Sequence, residues 1–416
     1  MALTYDELRN AVAGKAVGMR ARTELEPLGG PGDKVFPPTY GVSDREETKY
    51  ATEQRKVDGQ ALPAVVLDSV ASQANRFELA LLDALRRAEV QLPLVSVDFR
   101  DTAIADLDRL SALEAPHRIF DALLRDSLHE GSLFRLSGLG RAITEATFRS
   151  AAPLLRYSPT TLVFGGWDST GPRGGLGSKY ERCVTSEIVA VGIDRGVATG
   201  SRIDPAGIQR DAAKLYEAPD GTWTLNEDEA VQEKGHAKLV SRSGEGQAGR
   251  PSQVNHGNIA PSIDRRAGGV TADRILATTV ISFAGLRRLR FPINAEGVPI
   301  PDDRRGEVES AAHTALASLA VAAVVLAFDE GFDLRSRCVL VPTAELELEL
   351  LGRAGERRSV RVSRVDALGL LAQAAAALSA AGMGWETEEV LLQPTPRLVE
   401  LIRRSRDLAA RSTPES

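Results

Sequence analysis

Segments of two different periods alternate along the chain, and together they predict a mixture of strands and helices. Residues 16–25 alternate between apolar and polar side chains, which is typical of a half-buried strand. From Leu67 to Arg87 the apolar residues recur every three or four positions, which predicts an amphipathic helix. β-Branched stretches flanked by glycine predict strands at 160–167 and 183–193, and strand character returns at 275–283.

The second half of the chain shows the same mixture. A long apolar run predicts a buried helix over Val308–Phe328, and a strand follows at Cys338–Val341. Residues 345–351 alternate strictly and predict a hairpin with residues 359–362. Because strands and helices mix without regular βα alternation, the predicted fold class is α+β. Three acidic residues of the hairpin are expected to share one face: Glu345, Glu347 and Glu349.

Composition narrows the class of protein. The 416 residues are 43% hydrophobic and 26% charged, which is ordinary for a globular protein with a sizeable core. Two cysteines, Cys183 and Cys338, cannot form a disulfide framework, and no Cys/His pair has the spacing of a zinc site. The first ten residues lack the pattern of a signal peptide, and the apolar run at 315–328 is too short to span a bilayer. We therefore expect a cytoplasmic protein.

The distribution of charge is more informative than its total. The net charge of -6 by itself argues mildly against nucleic-acid binding. Between Lys234 and Arg290, however, ten basic residues stand against three acidic ones, an excess of seven. Apolar periodicity is lost over 235–269, where glycine, serine and asparagine dominate. A segment of this length without a core of its own is either disordered or functional, and its basicity favours a polyanionic ligand.

One candidate phosphate site is the glycine-rich stretch at 174–183, which carries Lys179 and Arg182. Glycine lets backbone amides approach a phosphate closely. The stretch has neither the P-loop pattern nor a GxGxxG that opens a helix, and a simple turn before a strand is the competing interpretation.

A second candidate site lies within residues 251–273. Asn255, His256 and Asn258 could bond base edges or ribose hydroxyls, and two arginines follow them. The alternative is a solvated surface loop held by Asx turns. His256 has no partner at metal-ligand spacing, and the sequence identifies no nucleophile for it to activate.

Two further segments contain candidates with equally plain alternatives. The stiff segment VFPPTY ends in Tyr40, which could stack on a base or simply pack on the domain. Gln73, Asn75 and Arg76 lie beside the apolar stripe of the first helix, where a solvated face is the default. Asp68 and Glu78 are about 15 Å apart along that helix, too far to act as one catalytic pair.

Four of these segments, in this order, resemble one CRISPR-associated family. The segments are KVFPPTY (34–40), LDSVASQANRFE (67–78), GGLGSKYERCVTSEIVAVG (174–192) and NHGNIAPSI (255–263). The family is the RAMP-superfamily backbone subunit, the Cas-seven type, of type I-G (formerly I-U) effector complexes. The resemblance runs from about residue 20 to 290 and more loosely to the C-terminus.

The resemblance implies one RRM-like (ferredoxin-like) palm over residues 1–416, with large inserted finger and thumb segments. A helical insertion is expected at 101–158, and a basic, glycine-rich thumb-like insertion at 195–274. Several copies are expected to stack along a CRISPR RNA and to present it for pairing with target DNA. The implied partners also include the large subunit and the guide-processing subunit. The resemblance implies no catalysis, no cofactor, no metal and no membrane.

The patterns and the resemblance together give one set of RNA-binding candidates. Arg20 and Arg22 enter it because the resemblance puts them on the first palm strand. Classical RNP aromatics are missing and aromatic residues are 5% of the chain, so backbone and shape contacts are expected rather than base stacking. The full set is Arg20, Arg22, Lys34, Tyr40, Gln73, Asn75, Arg76, Gly177, Ser178, Lys179, Arg182, Asn255, His256, Asn258, Arg265 and Arg266.

Two other functions remain open at the level of sequence. A metal-dependent RNA endonuclease of the same superfamily would need a carboxylate against the RNA, for which Asp264 is the candidate. A nucleotide-binding enzyme would use the loop at 174–179. Metal-dependent cleavage would distinguish the first, and a thermal shift with ATP or GTP the second.

Overall fold

The fold is α+β, as predicted, with an antiparallel main sheet that is compatible with an RRM-like palm. The computed structural model describes residues 3–43, 45–171, 179–209, 211–241 and 248–412. These residues form two compact units: one from 1–42, 50–194 and 270–399, the other from 43–49, 195–269 and 400–416.

The first unit is built around one large sheet. Its strands are β1 (Ala16–Pro27), β2 (Thr52–Val57), β3 (Gln60–Asp68), β4 (Val184–Arg195), β5 (Val270–Ser282), β6 (Phe332–Arg335), β7 (Cys338–Pro342), β8 (Glu347–Gly352) and β9 (Arg357–Arg361). The order is β6-β7-β1-β5-β4-β3-β2, with β8 paired to β1 and β9 to β8. The strands predicted at 16–25, 183–193 and 275–283 are confirmed as β1, β4 and β5.

Two helices complete the palm, α1 (Val70–Arg86) and α2 (Asp302–Asp329). Ser69 caps α1 by accepting a hydrogen bond from the Ser72 amide, 3.3 Å away. In chain order β1, α1, β4, β5, α2 and β7 give the β-α-β-β-α-β sequence of a ferredoxin-like unit. A further helix, α3 (Arg364–Ala380), packs on α2. The helices predicted at 67–87 and 308–328 are therefore confirmed.

Helix α2 is long and apolar enough to cross a membrane by length and composition alone. Its most apolar window is completely buried within the protein, which is what a core helix requires. The buried helix predicted for this stretch is confirmed.

Strand β1 shows how the sheet acquires two different faces. Met19, Ala21 and Leu25 are buried, whereas Arg20 and Arg22 point to the opposite side. Successive side chains of a strand alternate between faces, so the partners on β5 divide in the same way. Arg20 lies opposite Val280, and Arg22 lies opposite Thr278. We call the side with the arginines the open face.

Behind the sheet, a buried ion pair connects α1 to the segment at 118–120. Glu78 is fully buried and Arg118 is 4% exposed. The Arg118 Nε donates to Glu78 Oε1 at 2.7 Å, and its Nη1 donates to the Gly165 carbonyl at 3.1 Å. Charged groups this deeply buried persist only when they are paired. The pair thus anchors the chain around Gly165 to α1.

The strand predicted at 160–167 is wrong over most of its length. Pro159–Phe164 is a helix, and only Gly166–Trp167 is extended. Pro159 occupies the first turn, where its missing N–H is not needed. All six helical residues are buried, so the apolar run reflects burial rather than a strand. Periodicity alone does not separate these two cases in short apolar runs.

A smaller sheet accompanies the short helices of the segment at 101–158. Val95–Asp98 is the second strand of this sheet. The helices of the segment are Ala122–Arg125, Gly138–Glu145 and Ala152–Tyr157. The strands of the smaller sheet, in spatial order, are Arg109–Ser111, Val95–Asp98, Val390–Pro394, Ser127–His129 and Ser132–Leu133.

The second unit contains short two-stranded ribbons. In the longest of those that the structure describes, Ala198–Arg202 pairs antiparallel with Ile259–Asp264. The others are Tyr216–Glu217 with Trp223–Thr224, and Gln232–Glu233 with His236–Ala237. The last helix that the structure describes is Pro396–Ser412.

Candidate nucleic-acid interface

A cleft of about 320 Å³ lies in the first unit, next to the end of β5. Its floor is apolar and includes Leu162, Cys183 and Leu289, all of them buried. Burial raises the pKa of Cys183 to about 12, so the thiol is neutral. The other lining residues are Phe148, Lys179, Tyr180, Glu181, Arg182, Ser282, Gly285 and Arg288. Three of these carry positive charge, which makes the rim of the cleft basic.

Two of the cations at the rim have no carboxylate partner among the described residues. Lys179 is exposed on the short strand Lys179–Tyr180, which pairs with Gly166–Trp167. Arg182 is exposed and lies in the short connection between that strand and β4. By contrast, Arg288 donates to Glu181 at 2.5 Å. The sequence selected Lys179 and Arg182, and the structure brings them into one cleft.

The environment of Arg182 shifts its titration but leaves its charge in place. Partial desolvation is the main cause that lowers the pKa of Arg182; the charge of Arg118 lowers it further, and the charge of Glu78 opposes the shift. Arginine remains protonated despite such a shift. Arg182 therefore stays a cation that a phosphate can bind.

On the open face, the first palm strand offers one unengaged cation. Arg20 donates from Nε and Nη2 to Glu349 Oε2 at 2.8 and 2.5 Å. Arg22 is exposed and has no ion pair within the described part of the chain. Residues 22, 20 and 18 point the same way, opposite Thr278, Val280 and Ser282 in that order. Ser282 lines the cleft, so this row leads from Arg22 to the cleft.

Other arginines of the open face are also paired across strands. Arg55 donates to Glu187 at 2.5 and 3.1 Å, and Arg274 donates to Glu24 at 3.2 Å. Two of the three acidic residues of the predicted hairpin contact different arginines: Glu349 pairs with Arg20, and a Glu345 carboxylate oxygen lies 3.4 Å from the Arg361 guanidinium. The open face therefore carries alternating charges rather than a uniform positive field.

Gln73 and Arg76 turn inward instead of facing solvent, which corrects the sequence-based interpretation. Gln73 is fully buried: its Nε2 donates to Asp68 at 2.7 Å and its Oε1 accepts from Ser186 at 3.1 Å. Arg76 donates to Asp68 at 3.0 Å and to the carbonyls of Asp333 and Leu334. Asp68 is itself buried. This network joins α1 to β4 and β6. Asn75 and Arg76 are both half-buried, whereas Gln73 is fully buried.

Replacing Arg76 with alanine is expected to lower the free energy of unfolding by about 2 kcal/mol, because Asp68 loses a charge-assisted hydrogen bond. RNA affinity is expected to stay within twofold of wild type. Chemical denaturation and fluorescence polarisation with a short RNA check the two effects. Lost affinity at unchanged stability would instead make Arg76 an RNA contact.

The segment at 34–40 holds its two candidates differently. Lys34 Nζ lies 5.5 Å from the centre of the Phe36 ring, and Arg337 covers the same ring at 4.1 Å. Tyr40 is 45% exposed. Its ring is therefore accessible, whereas Lys34 is partly held by its neighbour.

In the second unit, the predicted polar cluster mainly organises its own loop. Asn258 Oδ1 accepts from the Asp204 amide at 2.7 Å, and Asp204 accepts from the Gly257 amide at 2.5 Å. Hydrogen bonds from backbone amides, first that of Gly257 and then those of Ala206 and Ile208, lower the pKa of Asp204. His256 lies 3.8 Å from Asp204 and edge-on to Trp223. Asn255 takes a left-handed conformation, φ 61°, that suits asparagine.

The two consecutive arginines of this unit, Arg265 and Arg266, differ in their contacts. Arg266 donates to the Ser43 carbonyl at 2.8 Å, while Arg265 is exposed. Asp264 accepts from the amides of Arg266 and Ala267 at 2.8 and 3.2 Å. Arg265 is thus the more accessible of the two predicted cations, and Asp264 closes the turn at the end of its ribbon.

Two candidates, Gly177 and Ser178, lie outside the described residues. Sequence reasoning missed Phe148 and Arg288, which line the cleft from positions distant in sequence. Only the basic run at 287–290 gave a signal for Arg288, and an isolated phenylalanine gave none for Phe148. Among the described residues, no group of three His, Cys, Asp or Glu could hold a metal ion.

Comparison with known proteins adds one finding. Residues 19–195 match the family model described as CRISPR-associated protein GSU0053. No curated protein matches the chain. The matched region contains most of β1, all of β2 to β4, α1, and Lys179 and Arg182 of the cleft. The match supports the prediction that this is a CRISPR-associated protein. That it is a backbone subunit, and that it belongs to type I-G, remain predictions.

Proposed function

We propose that this CRISPR-associated protein is a non-catalytic guide-RNA-binding backbone subunit of a type I-G effector complex. Lys179 and Arg182 carry the proposal: they line one cleft, and neither has a carboxylate partner among the described residues. In the sequence they directly follow a glycine-rich run. Phosphate contacts of this kind supply affinity without reading sequence, which suits a subunit that must accept any guide. Arg22 and the row toward Ser282 extend the path over the sheet.

In the proposed assembly, several copies stack along the CRISPR RNA and present it for pairing with target DNA. The large subunit and the guide-processing subunit join the same cytoplasmic complex. One protomer then needs only modest affinity, because contacts repeated along one strand add through effective concentration.

The endonuclease alternative has less support. Its candidate, Asp264, already accepts two backbone amides within its turn. Divalent-metal-dependent cleavage of RNA that disappears in Asp264→Asn would be needed to favour it.

Co-expression with neighbouring CRISPR-associated genes and a CRISPR array tests the proposal. We expect a high-mass complex whose 260/280 nm absorbance ratio reveals nucleic acid and whose extracted RNA has discrete lengths. Co-expression without the array is the control, and it should yield no such RNA. A nucleic-acid-free monomer in the presence of the array would contradict the proposed function.

A further inference from the structure

The cleft has an aromatic wall that phosphate binding does not require. Phe148 lines it and is 51% exposed. An exposed phenylalanine forgoes the hydrophobic stabilisation that burial would give it. The same cleft is lined by the buried, uncharged side chains of Leu162, Cys183 and Leu289.

The turn that presents Phe148 is held from both sides. Thr147 and Ser150 exchange backbone hydrogen bonds at 3.2 and 2.9 Å. The Phe148 carbonyl accepts from the Arg290 amide at 2.8 Å, and the Arg290 carbonyl accepts from the Ala151 amide at 3.0 Å. The main chain that carries the ring is therefore fixed at the rim. A preorganised aromatic loses little conformational entropy when a ligand stacks on it.

Positive charge surrounds this ring. The Arg149 guanidinium lies 5.9 Å from its centre, and Lys179 and Arg182 line the same cleft. A volume of about 320 Å³ is at the lower end for small-molecule sites. An aromatic platform, an apolar floor and several cations together match the parts of a nucleotide: a flat base joined to phosphates.

We propose that the cleft holds one unstacked nucleobase of the bound RNA against Phe148, with the adjoining phosphates on Lys179 and Arg182. This inference rests on the proposed function and adds a base-binding role to it. Every base has a π-face, so the site tolerates any sequence. It also revises the expectation from composition that the protein contacts only backbone and shape.

Two probes of equal length separate base binding from phosphate binding: a single-stranded oligoadenylate, and an abasic oligomer with the same number of phosphates. Phe148→Ala is expected to weaken oligoadenylate binding roughly tenfold and to leave abasic binding unchanged. Phe148→Trp should retain oligoadenylate affinity. Leu136→Ala, an exposed apolar residue outside the cleft, is the matched control and should change neither. Fluorescence polarisation measures the affinities, and thermal unfolding checks each variant's fold.

The outcomes keep the two proposals apart. If Phe148→Ala leaves both affinities unchanged, or weakens both equally, the base site is refuted while RNA binding stands. If the wild-type protein binds neither probe, the proposed function fails as well. A loss confined to the oligoadenylate, restored by tryptophan, supports the base site.

Discussion

Replacing Lys179 and Arg182 together with alanine is expected to weaken binding of single-stranded RNA about thirtyfold. Each cation is assigned about 1 kcal/mol of phosphate interaction, and every 1.4 kcal/mol changes affinity tenfold. Each lost contact with single-stranded RNA should also reduce the slope of log affinity against log salt by about 0.7. The double variant should therefore show a slope shallower by about 1.4, measured by polarisation titrations at several salt concentrations.

Arg86→Ala with Arg87→Ala is the matched control for this experiment. It removes the same net charge from the same unit, at residues that do not line the cleft and that pair with Glu114 and Glu330. We expect its affinity and salt slope to stay close to wild type. An equal loss in both double variants would assign the effect to overall charge and would remove the cleft from the proposed interface.

Replacing Arg118 with methionine is expected to lower the free energy of unfolding by about 3–5 kcal/mol. The substitution leaves Glu78 buried without its partner, and an uncompensated buried charge is strongly destabilising. It also removes the hydrogen bond to the Gly165 carbonyl. A Cβ on Gly165 would lie 2.9 Å from Arg182, so this backbone packs closely behind the cleft.

A double-mutant cycle with Glu78→Leu tests that explanation. With both charges absent, an apolar pair can fill the site, so Glu78→Leu/Arg118→Met should be more stable than Arg118→Met alone. Urea denaturation followed by circular dichroism gives the free energies. If the double variant is as unstable as the sum of the single variants, packing rather than charge pairing explains the cost.

Sequence patterns identified the elements of the palm better than they identified its available charges. The helix at 70–86 and the strands at 16–27 and 184–195 follow from local periodicity, which a single sequence displays. Whether an arginine is free depends on partners far away in the chain. Arg20 meets Glu349, and Arg76 meets carbonyls beyond residue 330, so neither contact leaves a local signal.

The burial of polar side chains could not be predicted from the sequence, for a related reason. Gln73 looks like a surface residue because glutamine usually is one. Its burial requires Asp68 below it and Ser186 on another strand, and that arrangement exists only in the folded sheet. Lys179 and Arg182 were identifiable because they adjoin a glycine-rich segment that stands out locally. Phe148, which completes their cleft, has no comparable local signal in the sequence.

The cross-strand ion pairs of the open face have a kinetic consequence. Glu349 and Glu187 are tethered competitors for any phosphate that approaches Arg20 or Arg55, and their effective concentration exceeds that of a free nucleotide. We therefore expect a free mononucleotide not to displace them. Under the proposed function, an RNA held at Lys179 and Arg182 would deliver its next phosphates at a comparably high local concentration. We expect a strand to engage the cleft first and to spread over the sheet afterwards, so that short fragments are rejected and long strands are retained.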